Sequence, residues 1–334
     1  MNETRKEIRI ALPSKGRLAD ETLDLLSAVG LRVHKPNPRQ YRAEIPSMPG
    51  LTVLFQRAGD IVVSVRKGSV DFGITGWDVV SEQRGKNREV LVLLPELCYG
   101  YCTLNVIVPE SWGDALRMAD LLEQKCKLNR PLRVASKYPN LTRSFFGKNS
   151  LQEIELIEAE GTLEIAPTIG YADLIVDLIS TGTTLRDNRL APLEDGQILK
   201  SQACLIANKA VLKNRPEALG MARQLLEFIV AYLRASENVA VFANIRGESQ
   251  EIIAERMFEK SVIGGLQGPT ISPVITKQLD KWYAVHLIVR KDRLAKAIEE
   301  LRQIGGSGVV VTPVVYIFEE EPEAYQKMLA ALEE

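Results

Sequence analysis

Histidine is nearly absent from this sequence, and cysteine is scarce. Among 334 residues there are two histidines, His34 and His286, and neither lies near another motif. A histidine-based catalytic triad and a histidine-rich metal centre are therefore nearly excluded. The four cysteines show neither C-x-x-C nor zinc-like spacing and are expected to be reduced, packed thiols: Cys98, Cys102, Cys126 and Cys204.

Net charge and long apolar runs are also missing. Lys and Arg total 42 against 43 Asp and Glu, which gives a formal net charge of −1 and argues against a nucleic-acid partner. No apolar run approaches the ~18 residues needed to cross a bilayer, and the first residues lack a signal-peptide pattern. We therefore expect a cytoplasmic protein with no membrane partner. With 46% hydrophobic and 25% charged residues, the chain is long enough for two or three globular domains.

A strand followed by a hydroxyl-rich turn lies in the stretch Asp173 to Leu185, which reads DLIVDLISTGTTL. Leu174 to Val176 is an apolar run typical of a buried strand, and Asp177 stands at its end. The next residues supply hydroxyls, backbone N–H groups and a glycine: Ser180, Thr181, Gly182, Thr183 and Thr184. This order predicts a phosphate-binding turn beside an acid that holds sugar hydroxyls. An ordinary Ser/Thr/Gly turn, with Asp177 as a turn acid, would explain the same residues.

A basic turn lies near the start of the chain. Ile8 to Pro13 reads as a strand, and Leu18 to Val29 carries apolar residues at helical spacing. Lys15 and Arg17 therefore stand between a strand end and a helix start, where backbone N–H groups favour anions. Surface cations are usually only solvated, so this placement alone does not establish a function. The turn is not a Walker loop, and no G-x-G-x-x-G motif occurs.

Strands alternate with helices through the first two thirds of the chain, which predicts mostly parallel sheets with helices on both faces. The chain is expected to cross to a second lobe near Leu97 to Tyr101 and to return with the strand Ala203 to Asn208. This gives an α/β core of two lobes joined by two hinge strands. We assign residues 1–100 plus 191–212 to lobe I and residues 101–190 to lobe II.

The pattern changes after about Val211, and residues 213–334 are expected to form a separate domain. A long amphipathic helix, Pro216 to Ala235, comes first. The strands and helices that follow have the order βαββαβ of the ferredoxin-like topology, with strands at 239–245, near 270–275, 282–290 and 307–317 and helices at 248–259 and 292–303.

Five strings of the sequence resemble the ATP phosphoribosyltransferase family. They are KGRL (Lys15 to Leu18), DFGITGWDVV (Asp71 to Val80), ASKYPNL (Ala135 to Leu141), EAEGTLEIAPTIGYADLIVDLISTGTTL (Glu158 to Leu185) and GPTISPV (Gly268 to Val274). The fourth is similar to the family's signature. The last, with the βαββαβ module, is similar to the long form of the family, which carries its own regulatory domain. The resemblance implies a two-lobe, periplasmic-binding-protein-like core and a C-terminal ACT-like domain.

The resemblance also implies a reaction. Members of the family are glycosyltransferases that condense ATP with 5-phosphoribosyl 1-pyrophosphate (PRPP) to N1-(5-phosphoribosyl)-ATP and pyrophosphate. This is the first step of histidine biosynthesis. The family uses Mg²⁺, is feedback-inhibited by histidine and forms hexamers built from dimers.

Site residues follow from the resemblance and from the positions above. Asp177 and Arg17 are the expected catalytic residues. Asp177 would hold the ribose hydroxyls of PRPP, and residues 180–184 its 5-phosphate. ATP contacts are expected at Lys15, Arg17, Arg57, Asp71 and Glu164, although an acid in a first helical turn explains Glu164 equally well. Histidine contacts are expected at Asn244, Leu266 and Thr270, which a plain turn would also explain. Mg²⁺ is expected to bind mainly through substrate phosphates.

Two other functions remain compatible with parts of the sequence. A non-catalytic two-lobe small-molecule binding protein would account for DFGITG and the hinge, but not for the order of Asp177, Gly182 and the two threonines. A phosphoribosyltransferase with another acceptor base would account for that order. It usually has a second acid where this chain has Leu178, and it lacks the C-terminal module.

Overall fold

The protein is described from a computed structural model. The description covers residues 7–37, 39–83, 85, 89–113, 116–151, 153–159, 161–180, 183–266, 268–276 and 281–333. The chain divides into two compact units, Met1–Arg223 with Ala324–Glu334, and Gln224–Glu323. Within the described residues, no helix is long and apolar enough to cross a membrane.

The first unit begins with lobe I. Its elements are β1 (Ile8–Pro13), α1 (Arg17–Ala28), β2 (Arg42–Glu44), β3 (Leu51–Gln56), α2 (Ala58–Arg66), β4 (Phe72–Gly76), α3 (Trp77–Gln83) and β5 (Val90–Leu94). Strand β1 pairs in parallel with β3 and β4, so the carboxyl ends of these three strands share one edge. Their near-continuous apolar sequences suit a sheet with both faces buried, and β4 is buried along its whole length.

Lobe II follows with β6 (Cys102–Pro109), α4 (Asp120–Leu128), β7 (Leu132–Ser136), α5 (Pro139–Lys148), β8 (Ile154–Glu158), β9 (Leu174–Ile179), α6 (Thr183–Asp187) and β10 (Leu190–Ser201). The sheet order is β10-β6-β9-β7-β8. The signature strand β9 is thus the central strand, parallel to β7 and antiparallel to β6. Its first residues, Leu174 to Val176, are fully buried.

The chain returns to lobe I through β11 (Ala203–Asn208), which pairs antiparallel with β4 and β5. The outgoing and returning segments are hydrogen-bonded to each other, with Leu97 N donating to Ala203 O (3.0 Å) and Ala203 N to Tyr99 O (2.9 Å). The sequence assigned residues 191–212 to lobe I. In the structure, β10 pairs with β6 as far as Ser201 and so belongs to the lobe II sheet.

The remaining elements are α7 (Lys209–Asn214), α8 (Pro216–Ser236), β12 (Asn238–Arg246), α9 (Gln250–Phe258), β13 (Thr270–Val274), β14 (Trp282–Arg290), α10 (Leu294–Gln303), β15 (Gly306–Pro313) and α11 (Glu323–Glu333). The order from β12 to β15 is βαββαβ, and the antiparallel sheet runs β13-β14-β12-β15. The predicted ferredoxin-like topology is therefore confirmed. The division between the units falls inside α8, not at residue 213, and α11 groups with the first unit.

Candidate active site

Asp177 lies in the middle of the lobe II sheet, although not at the end of its strand. Strand β9 continues to Ile179, and Asp177 pairs with the buried Asn105 of β6. The half-buried carboxylate accepts a hydrogen bond from Leu178 N at 2.8 Å. This leaves most of its oxygen lone pairs available to a ligand.

The pKa of Asp177 is raised above the ordinary value for aspartate. Burial is the main cause, and the negative charge of Glu164 adds to it, while the Leu178 N–H and the Lys137 cation act in the opposite direction. A carboxylate that is partly desolvated and lacks a close ion pair is well suited to accept hydrogen bonds from sugar hydroxyls.

The hydroxyl-rich stretch 180–184 begins directly after β9 ends at Ile179, and α6 begins at Thr183. Ser180 and Thr184 are exposed, and Thr184 O accepts from Asn188 Nδ2 at 2.9 Å at the end of this short helix. Thr183 is the first residue of α6. Thr181, Gly182 and the side chain of Thr183 lie outside the described residues, so the phosphate contact predicted for them stays a prediction.

Lys15, Arg17 and Arg57 share the carboxyl edge of the lobe I sheet. Gly16 has φ +79°, a conformation that favours glycine, and it turns the chain from β1 into α1. The Arg17 guanidinium donates from Nη2 to Tyr101 O (3.0 Å) and lies 3.7 Å from Glu21, while Lys15 is exposed. Arg57 is exposed and immediately precedes α2, beyond the end of β3. Three cations therefore lie on neighbouring turns.

Asp71 is not among these residues. It precedes β4, so it lies at the opposite edge of the sheet from Lys15. Its side chain is buried, accepts from Arg9 N at 2.7 Å and lies 3.9 Å from an Arg215 nitrogen. This position does not support the predicted contact with ATP. The sequence already indicated this difference. Asp71 comes before the apolar run of its strand, whereas Asp177 comes after the apolar run of its own, so the two acids belong to opposite ends of their strands.

Glu164 belongs to a one-turn 3-10 helix, Leu163–Ile165, and is partly exposed. It is close enough to Asp177 to contribute to the rise in that residue's pKa. The structure therefore brings Glu164 into the surroundings of Asp177, and its contact with the nucleotide stays a prediction.

The sequence did not predict the role of four side chains that join the lobes: Asp78, Glu82, Tyr138 and Ser201. The Tyr138 hydroxyl donates to Asp78 Oδ2 at 2.7 Å, and Ser201 Oγ donates to the other oxygen of Asp78 at 2.7 Å. The Glu82 carboxylate of α3 accepts from Asn140 N (2.8 Å) and Leu141 N (3.0 Å), so it caps α5 from the other lobe. The sequence held one indication of the Glu82 contact. The N-cap residue of α5 is Tyr138, whose side chain does not cap the helix, so the free N–H groups of its first turn need an acceptor from elsewhere.

The residues expected to bind histidine lie in the second unit. Asn244 of β12 and Thr270 of β13 point to the same exposed face of the sheet, because Thr270 pairs with His286 and His286 pairs with Phe242, two residues before Asn244. Phe242 stacks on His286 between them, with ring centroids 4.4 Å apart. Leu266 is 47% exposed in the loop before β13. The predicted contacts of these three residues with histidine stay predictions.

The fold and the site define a class of protein. Lobe II presents an acid-bearing central strand with a hydroxyl-rich turn, and lobe I presents cationic turns at the carboxyl edge of its sheet. This is the arrangement expected of a protein that binds a phosphorylated sugar and a second anionic ligand.

Comparison with known proteins identifies the family. A family model described as ATP phosphoribosyltransferase matches residues 57–231, and the model of its C-terminal domain matches residues 235–316. The chain is 40% identical over 340 residues to "ATP phosphoribosyltransferase 2, chloroplastic" of Arabidopsis thaliana, covering 98% of this chain and 81% of that protein. It is 33% identical to the ATP phosphoribosyltransferase of Rhodopseudomonas palustris, covering 97% and 98%. The chain belongs to the ATP phosphoribosyltransferase family.

The fold agrees with this membership. The solved ATP phosphoribosyl transferase (HisG:HisZ) complex from Thermotoga maritima has a chain that matches with a TM-score of 0.52 at 23% identity, covering 67% of this chain and 98% of that one. The predicted family and the predicted two-part α/β fold are thus confirmed. The chain is an enzyme, a phosphoribosyltransferase, and the alternative of a non-catalytic binding protein is not supported.

Proposed function

We propose that this enzyme condenses ATP with PRPP to N1-(5-phosphoribosyl)-ATP and pyrophosphate in histidine biosynthesis. The observation that carries the proposal is the position of Asp177 on the central strand, two residues before the strand ends and three before Ser180; no ion pair with it is found among the described residues. The family match over residues 57–231 includes this strand and turn.

The reaction requires positioning and charge stabilisation more than it requires a nucleophilic side chain. Adenine N1 displaces pyrophosphate at the anomeric carbon, so positive charge develops on the ribose and negative charge on the leaving group. In this proposal Asp177 holds the ribose hydroxyls, and Ser180 with the rest of the turn binds the 5-phosphate. Lys15, Arg17 and Arg57 face the phosphates of ATP or of the leaving group, and Glu164 contacts the nucleotide.

Magnesium is proposed as the metal. Within the part of the chain that the structure describes, no group of three or more His, Cys, Asp or Glu side chains is arranged to hold a metal ion. In this proposal the Mg²⁺ ion is held mainly by substrate phosphates and water, with at most one or two carboxylates such as Asp177 and Glu164. When bound, the ion would neutralise charge on the leaving pyrophosphate.

A direct assay tests the proposed reaction. The protein, incubated with PRPP, ATP and Mg²⁺, is expected to produce an adduct with near-ultraviolet absorbance. ATP replaced by a free nucleobase serves as the control for another acceptor. Adduct formation with the nucleobase and none with ATP would contradict the proposal. Absence of any adduct, together with unreacted PRPP bound by the protein, would favour a binding protein.

Feedback inhibition by histidine is proposed for the second unit, and assembly into dimers and hexamers is proposed from the family resemblance. Both stay predictions, as does the cytoplasmic location expected from the sequence. The support for the regulatory role is the match of residues 235–316 to the family's C-terminal domain. A deletion after Leu212 would also remove residues 216–223 and 324–333, which group with the first unit, so point variants give a cleaner test.

We expect Asn244→Ala and Thr270→Ala to weaken histidine inhibition. Each removes one polar side chain from the exposed sheet face, and a lost hydrogen bond to a charged ligand corresponds to roughly tenfold in affinity. The measurement is the histidine concentration that halves the rate at fixed PRPP and ATP. Lys296→Ala, exposed on helix α10, which packs on the opposite face of the sheet, is the control. Unchanged inhibition in both variants would exclude this face as the histidine site.

A further inference from the structure

Lys137 lies beside Asp177 on the lobe II sheet. Strands β7 and β9 are parallel, and the last residue of β7, Ser136, pairs with Val176. One step further along each strand are Lys137 and Asp177, which therefore emerge next to each other on the same face. The Lys137 side chain is exposed and makes no hydrogen bond or ion pair with the described residues. Its positive charge acts on Asp177 and offsets part of the rise in that residue's pKa.

Both neighbours of Lys137 are fixed in place. Ser136 is fully buried, donates from Oγ to Val176 O (3.0 Å) and accepts from Tyr138 N (2.9 Å). Tyr138 is 8% exposed and is tied through its hydroxyl to Asp78 of lobe I. An exposed lysine between two buried, hydrogen-bonded neighbours has a restricted backbone direction, so less ordering remains to be done when a ligand binds.

The direction of the chain after β9 indicates which part of the substrate Lys137 would meet. The chain leaves β9 at Ser180, and the helix α6, which begins at Thr183, packs against β10, whereas Lys137 follows β7. In the sheet order β10-β6-β9-β7-β8, these lie on opposite sides of β9. In the proposed function the 5-phosphate lies on the α6 side of β9 and the ribose hydroxyls at Asp177, and the anomeric substituent would then extend to the other side of β9, towards Lys137.

We propose that Lys137 is a binding residue for the pyrophosphate group of PRPP, held in position by the Tyr138–Asp78 contact between the lobes. The proposal rests on the proposed function, because it takes PRPP as the ligand of lobe II. Its chemistry is that of a compact ammonium group that binds a phosphate oxygen as a point charge. Lys137 would also share in stabilising the negative charge that develops on the leaving pyrophosphate.

The test compares three ligands on three variants of the full-length protein. PRPP, pyrophosphate alone and ribose 5-phosphate alone are titrated calorimetrically in magnesium buffer against wild type, Lys137→Gln and Lys137→Arg. We expect Lys137→Gln to lose about tenfold or more in affinity for PRPP and pyrophosphate, with ribose 5-phosphate unchanged. Lys137→Arg should recover most of the loss. Lys148→Gln, at the exposed C-terminal end of α5, the helix that follows Lys137, is the matched control.

The outcomes separate this proposal from the proposed function. Wild type that does not bind PRPP would remove the function and this inference together. Wild type that binds PRPP, with Lys137→Gln equal to it for pyrophosphate, would overturn only the role of Lys137. A loss confined to ribose 5-phosphate would also overturn it. Because Lys137 is exposed, its substitution is expected to leave the thermal midpoint nearly unchanged, which checks that the variant is folded.

Tyr138→Phe tests the positioning role. The variant keeps the aromatic ring and removes the hydroxyl that donates to Asp78. We expect KM for PRPP to rise several-fold while kcat changes less, because the lysine remains present but is less well ordered. A Tyr138→Phe enzyme with wild-type KM would show that the contact does not position Lys137.

Discussion

Replacing Asp177 with Asn is expected to lower kcat/KM for PRPP by about 30- to 1,000-fold, equivalent to roughly 2–4 kcal/mol of transition-state stabilisation. From the residues that the structure describes, the carboxylate accepts one hydrogen bond, donated by Leu178 N, and the proposed function assigns its remaining capacity to the ribose hydroxyls. An amide keeps the shape but loses the negative charge that, in the proposed function, faces the developing positive charge on the ribose. Initial rates of adduct formation at varied PRPP give the result.

The same substitution should raise stability at neutral pH. Burial, with a contribution from Glu164, raises the pKa of Asp177, although the Leu178 N–H and Lys137 oppose the rise. The folded state therefore holds the proton more tightly than the unfolded state, and stability falls as pH increases from the unfolded value through the folded one. Asp177→Asn removes this cost. We expect a higher thermal midpoint than wild type at pH 7 and a smaller difference near pH 4. A lower midpoint at pH 7 would contradict the pKa direction.

Thr183→Val is the companion variant for the turn. It replaces a hydroxyl by a methyl group of similar volume, and a loss in kcat/KM is expected if residues 180–184 bind the 5-phosphate. Wild-type kinetics in both Asp177→Asn and Thr183→Val would exclude this turn from the site. If kcat/KM falls in Asp177→Asn but not in Thr183→Val, the role of Asp177 would be supported and the phosphate contact at Thr183 would be rejected.

The parts of the fold that the sequence predicted are those governed by local pattern. The apolar run before Asp177 predicted a strand, and the structure has that strand at Leu174–Ile179. The βαββαβ module was predicted for the same reason, since hydrophobic period and turn residues suffice to mark each element. Strand 282–290 has the predicted bounds.

The parts that were missed depend on contacts between residues far apart in sequence. Tyr138 and Asp78 are 60 residues apart, and Glu82 caps a helix 58 residues further along the chain. No periodicity marks such pairs. Strand β10 was also assigned to the wrong lobe, because a strand's sequence does not state which sheet it joins. Its pairing with β6, including the irregular register between Pro192 and Gln197, is visible only in three dimensions.

Replacing Asp173 with Asn is expected to destabilise the first unit by about 2–3 kcal/mol. Asp173 immediately precedes β9, and its side chain is 8% exposed. It accepts from both guanidinium nitrogens of Arg130 (2.6 and 2.8 Å) and from the backbone N and Nη2 of Arg133 (2.8 and 3.0 Å). Breaking a fully buried pair costs about 3–5 kcal/mol, but both arginines are partly exposed, so water recovers some of the loss.

The pH dependence of this cluster has the opposite sign to that of Asp177. Burial alone would raise the pKa of Asp173, but Arg130 and the N–H groups of Arg133 outweigh it and hold the pKa well below its usual range. The stabilisation is therefore fully present when the pH is above the pKa of Asp173 in the unfolded state, about 4, and is lost as the pH falls below it. Urea unfolding at pH 7 should show the whole deficit of Asp173→Asn, and the deficit should shrink below about pH 4. Glu153→Gln, which breaks the exposed pair with Lys125, should change stability far less than Asp173→Asn does, because water screens an exposed pair. Equal effects in the two variants would mean that the Asp173 cluster behaves as an ordinary surface pair and does not anchor the strand that carries Asp177.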